Sequence, residues 1–152
     1  MKKTIIVLTL LFAGIAIYAQ SKVDKITGVW LNHLGNAKVE IFKREGKFFG
    51  KIVWFDIPNG RDINLAKDKN NPDPSLRGRN ILELVIMTDL VYENGVWIDG
   101  KLYSPEKGQT VDCKLEISDD NQTLYVKASK GFFPKTLKWK RVDKKQDDKN
   151  EN

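Results

Sequence analysis

The chain has 152 residues, 30% of them charged, with a formal net charge of +6, a single histidine and a single cysteine. This length suits one domain and leaves little room for two. One cysteine excludes an internal disulfide, and one histidine beside one cysteine excludes zinc sites built from several such ligands.

Met1-Lys2-Lys3 precede an apolar run from Ile5 to Ala19 broken only by Thr9, Gly14 and Tyr18, and polar residues follow from Gln20. A charged start, an apolar stretch and a small residue at the cut describe a signal peptide over residues 1–19. The segment is shorter than the ~20 apolar residues that cross a bilayer. The expectation is therefore a periplasmic or secreted protein with no stable membrane anchor, and this compartment excludes nucleic acid as a partner. Loss of Lys2 and Lys3 takes the formal charge from +6 to +4. Residues 20–142 form the predicted β-barrel domain. Residues 143–152 mix Lys, Asp and Glu without one apolar side chain, so a disordered charged tail is expected there.

Within the domain, turn signals recur every eight to twelve residues and the segments between them alternate apolar with polar side chains. That spacing points to hairpins in a sandwich or barrel and away from βαβ units. Strands are predicted near Gly28–Asn32, Ala37–Arg44, Lys47–Phe55, Leu84–Tyr92, Val96–Tyr103, Gln109–Ile117, Thr123–Ala128 and Thr136–Val142. Eight strands suit a small closed barrel. Asn94-Gly95, between Leu90-Val91-Tyr92 and Val96-Trp97-Ile98, is a type I′ hairpin signal because both residues accept positive φ. Glu45-Gly46, Pro105 with Gly108, and Ser118 to Asn121 mark further turns.

The long stretch from Asp56 to Asn80 holds Pro58, Gly60, Pro72, Pro74 and Gly78 with few apolar residues. Loops of this length are often functional, and a lid is the expectation here. Its neighbour, Ile81 to Met87, is too short an apolar run for periodicity to separate strand from short helix. Strict alternation places Phe48, Gly50, Ile52 and Trp54 on one face of the third strand and Phe49, Val53 and Phe55 on the other, with one face lining a cavity. The same alternation puts Cys113 on an apolar face, as a buried inert thiol. Phe132-Phe133-Pro134 fall at a hairpin tip, where they would flank an opening or a partner surface.

Gly28-Val29-Trp30 opens the first strand and Trp139-Lys140-Arg141-Val142 closes the last. This pairing is similar to the calycin superfamily of lipocalin-like barrels, in which a Gly-x-Trp packs beneath a basic residue from the final strand. Trp30 and Arg141 are the structural residues this implies. A longer pattern includes Asp68, the run Asn71-Pro72-Asp73-Pro74-Ser75-Leu76-Arg77-Gly78-Arg79, Gly50-Lys51-Ile52-Val53-Trp54, and Trp97 to Gly108 with Tyr103. It resembles the bacterial family known as domain of unknown function 2147. The resemblance implies an all-β fold, a single eight-stranded antiparallel calycin-like up-and-down barrel with one long loop. It marks Asp68, Asn71, Arg77, Arg79, Trp54 and Tyr103 as candidate binding residues. The chain departs from the family pattern at Arg79-Asn80-Ile81-Leu82-Glu83, where Arg-Pro, a hydrophobic pair and Gly are expected.

Chemistry narrows the choice. His33, beside Gly35 and Asn36, reads as an exposed turn residue, and no serine has nucleophile-elbow spacing. Asp62, Asp68 and Asp73 with Asn64, Asn70 and Asn71 offer oxygen ligands, but Pro72 breaks the EF-hand spacing. They are expected to bond the loop's own backbone, with Arg77 or Arg79 paired to one of them. No metal and no cofactor is expected. The leading reading is an exported module binding a small apolar or amphipathic ligand such as a lipid or fatty acid, with Arg77 or Arg79 as an anion anchor. An envelope interaction protein with a filled barrel is the alternative. An enzyme using the loop carboxylates ranks third, because no acid–base pair can be located. The sequence is silent on oligomeric state.

Overall fold

The computed structural model describes residues 22–57, 62–131 and 133–143. The expected signal peptide, the tail beyond Asp143, Phe132 and the Phe133 side chain lie outside the described residues. Strands run over Gly28–Leu31 (β1), Ala37–Arg44 (β2), Lys47–Phe55 (β3), Val85–Glu93 (β4), Val96–Ser104 (β5), Gln109–Ile117 (β6), Thr123–Lys130 (β7) and Phe133–Arg141 (β8). Each pairs antiparallel with the next, and β1 closes on β8 through Trp30 opposite Arg141 and Leu31 opposite Lys140. The segment left open in the sequence resolves as turn and bend through Leu84, with strand from Val85.

Up-and-down connectivity sends alternate connections to opposite ends, and the two ends differ in chemistry. At one end the turns are tight: Glu45-Gly46 and Asn94-Gly95 both have positive φ at both residues, the I′ geometry that follows the strand twist. The chain enters there through a short 3-10 helix, Asp24–Ile26, whose Ile26 is buried. Trp30 donates its indole N–H to the Ile26 carbonyl at 2.8 Å, and Trp97 donates to the Val23 carbonyl at 3.2 Å. Arg141 lies 4.1 Å from the centre of the Trp30 ring. Its guanidinium donates to the carbonyls of Asn121, Thr27 and Lys25 at 2.7, 3.0 and 2.6 Å. One side chain thus ties the entering segment, the β6–β7 turn and the final strand together.

This end is filled because its inward residues are large. Trp30, Phe48, Trp97, Leu115, Leu124 and Trp139 are buried there, with Phe48 and Trp97 edge to face at 6.2 Å. Midway, Gly50 and Gly100 make room for neighbours: a Cβ on Gly100 would sit 2.4 Å from Leu90 Cδ2. Cys113 is buried beside them, and desolvation pushes its thiol up to about 12, which keeps it protonated and inert.

One sequence expectation is corrected. Strict alternation in β3 would place Trp54 on the face of Ile52, yet Ile52 pairs with Val39 and Trp54 with Lys38, leaving Val53 as a β-bulge. The extra residue shifts the pleat by one. Trp54 therefore turns outward, 39% exposed under the Lys38 ammonium, and Phe55, opposite Ala37, turns inward.

Candidate functional site

The other end is open. The β1–β2, β3–β4 and β5–β6 connections and the adjoining parts of β7 and β8 surround a cavity of about 620 Å³. That lies within the ~300–1,000 Å³ range of small-molecule sites. Its wall is apolar and made of modest side chains, Val39 and Ile52 from β2 and β3, Ile86 and Leu102 from β4 and β5, Val111, Ala128 and Leu137 from β6 to β8. Small residues at these heights leave the upper barrel hollow where tryptophans fill the lower half.

The rim is polar. Lys67, Lys107, Lys130 and Lys135 stand on it with Asp56 and Glu106, together with His33 and Leu34 of the first turn. The His33 imidazole is held below its ordinary pKa, first by desolvation and then by the charges of Lys135 and Lys107. The histidine therefore stays neutral at pH 7.

The β3–β4 loop forms one wall of this mouth through Lys67, Asn70 and Ile81. A latch centred on Asp68, fully buried, fastens it to β5. The carboxylate accepts from Tyr103 Oη at 2.6 Å, Asn71 Nδ2 at 2.8 Å, and Arg79 Nε and Nη2 at 2.9 Å each. Burial raises the Asp68 pKa, but the bonds from Tyr103, Asn71 and Arg79 with the Arg79 charge outweigh it and leave the carboxyl below its usual range. Arg77 donates to the Asn71 carbonyl at 2.7 Å. The Asn70 amide donates to the Glu106 carbonyl at 2.8 Å, and the loop lies so close that a Cβ on Gly108 would come within 1.9 Å of the Asn70 carbonyl oxygen.

Within the loop, Asp62 accepts from the Asn64 N–H and Asp73 from the Ser75 N–H, the local side-chain-to-backbone bonding that polar turn residues favour. Among the described residues no group of three or more His, Cys, Asp and Glu is placed to hold a metal ion. Of the sequence candidates, Asp68, Asn71, Arg77, Arg79 and Tyr103 come together in the latch, whereas Trp54 stands apart on the outer wall. Tyr103 also lines the cavity. Sequence reasoning passed over the four rim lysines. The available signal was their position in or beside connections that an up-and-down barrel gathers at one end.

Among solved structures, the protein HP1028 from the human pathogen Helicobacter pylori, described as belonging to the lipocalin family, is similar to this chain at 25% identity. The match covers 82% of this chain and 87% of that one, with a TM-score of 0.70. No curated protein matches. Residues 28–141 match the family described as "Uncharacterized protein conserved in bacteria (DUF2147)". The chain, a closed eight-stranded antiparallel barrel of lipocalin-like form, belongs to that family.

Proposed function

We propose that this protein is an exported binding module that holds a small apolar or amphipathic ligand in the open half of its barrel. The observation that carries the reading is the cavity of about 620 Å³, with an apolar wall and a polar mouth, above a packed floor. Such a site removes apolar ligand surface from water at roughly 25 cal/mol per Å² without unfolding anything. The latch supports it by fixing the β3–β4 loop as a wall, so the ordering cost is met by folding before any ligand arrives. Export is supported by the composition of residues 1–19.

The test is expression of the full chain in a bacterial host, recovery from the periplasmic or culture fraction, and native mass spectrometry with organic extraction. The expected result is a protein cleaved after Ala19 that carries a small apolar molecule or, once stripped, takes up the neutral dye N-phenyl-1-naphthylamine with a rise in fluorescence. Ala128→Trp, which fills the cavity, should abolish uptake. A protein that carries nothing and leaves the dye dark refutes the binding reading. An uncleaved chain retained in the cytoplasm refutes export.

A further inference from the structure

The charge pattern of the mouth narrows the ligand class, an inference that rests on the cup being a ligand site. Elsewhere on the barrel several lysines find carboxylates: Lys43 with Asp24, Lys47 with Asp89, Lys51 with Glu40 and Glu83, Lys101 with Asp112, Lys127 with Glu116. At the mouth they do not. Among the described residues none of Lys67, Lys107, Lys130 and Lys135 is in an ion pair; Lys67 donates to the Asn80 side-chain oxygen, and Lys130 to Gln109 Oε1 at 3.2 Å. Four cations thus share a rim with two carboxylates, Asp56 and Glu106, and none of the four is neutralised by either. A low-dielectric apolar wall below them concentrates this positive potential at the opening.

We infer that the cup takes a single-chain amphiphile with an anionic head, carboxylate or phosphate, its chain against Ile52, Ile86 and Leu102 and its head among Lys107, Lys130 and Lys135. The head stays at the hydrated rim, so the lysines need not be stripped of water to hold it. The tail alone enters the apolar wall. His33, the only histidine, reports on the same ground, since Lys107 and Lys135 act on it. The charged groups on the cavity lining it shares are Asp56, Lys67, Glu106, Lys107, Lys130 and Lys135, of which Lys135 and Lys107 act on it.

The experiment uses the stripped full-length protein and four probes of one chain length: dodecanoate, dodecyl phosphate, dodecanol and dodecylammonium. Each is titrated below its micelle concentration at low and at high salt. The anions are expected to bind about tenfold more tightly than dodecanol at low salt, with dodecylammonium weakest and the advantage shrinking as salt rises. Lys107→Gln with Lys135→Gln should erase most of that advantage while dodecanol affinity holds. Dodecanoate should raise the His33 pKa, followed by NMR, and dodecanol should raise it less. The tighter of the two anions identifies the head group. Equal binding of dodecanol and the anions, or an anion advantage that survives the double substitution, overturns the inference and leaves the cup a ligand site. Failure of all four probes overturns both.

Discussion

Asp68→Asn is the sharpest test of how the mouth is built. The substitution keeps the size of a fully buried side chain and removes its charge. Bonds to a charged acceptor contribute about 1.5–3 kcal/mol each and neutral ones about 1. Tyr103 and Asn71 would each lose the difference, about 1 kcal/mol. The Arg79 pair deserves a smaller share, about 1 kcal/mol, because that guanidinium is 35% exposed and screened by water. The expected destabilisation is about 3 kcal/mol, or a fall in Tm on the order of 10 °C for a domain of this size. Urea and thermal unfolding followed by circular dichroism at pH 7 measure it. A double-mutant cycle with Tyr103→Phe should show a coupling of about 1 kcal/mol.

The acid side gives an independent check of sign. Asp68 has a folded-state pKa below its unfolded value, so its contribution is complete above the ordinary carboxylate pKa of about 3.9 and fades as pH falls through the folded value. Wild type should therefore lose its advantage over Asp68→Asn below about pH 4. Asp73, Asp89 and Asp120, also depressed by local hydrogen bonds, titrate in both proteins and cancel from the difference. A loss under about 1 kcal/mol at pH 7, or a difference that does not change with acid, would refute the latch as described.

Arg141→Lys keeps the charge but cannot reach the Asn121, Thr27 and Lys25 carbonyls together, and should cost about 2 kcal/mol in a urea titration read by tryptophan fluorescence. An unchanged midpoint would remove the guanidinium from its role in closing the barrel. Gly108→Ala meets both a φ of +60° and the Asn70 carbonyl, so the β3–β4 loop must lift. The expected cost is about 2 kcal/mol or more, with faster amide exchange across residues 66–80. Gly95→Ala, at φ +91° with open space around it, should show only the strain of about 1 kcal/mol and leave loop exchange alone.

Much of the fold was legible because its signals are local. Period-two patterning in Val111, Cys113, Leu115 and Ile117 reports which side faces inward without knowledge of any other strand. Asn94-Gly95 carries its own backbone geometry. Local signals failed at β3, where nothing in Ile52-Val53-Trp54 announces a bulge. The bulge is a property of the register against β2, and a shift of one residue exchanged Trp54 for Phe55 at the cavity. The latch residues were legible as a group, and so was an arginine paired to a loop carboxylate, but the bond that fastens the loop to β5 was not, because Asp68 meets Tyr103 across 35 positions of sequence.

By itself the sequence determined the strands, the tight turns and the number of crossings that a sheet must make before its edges meet. Tertiary structure alone decided which half of the barrel is solid and which is hollow. Packing at a given height depends on residues from all eight strands at once, and Trp30, Trp97 and Trp139 happen to share one level while Val39, Val111 and Ala128 share another. The same closure gathers Lys67, Lys107, Lys130 and Lys135 from distant parts of the chain onto one rim. Charge spread along a sequence has no field of its own until the fold gives it a place.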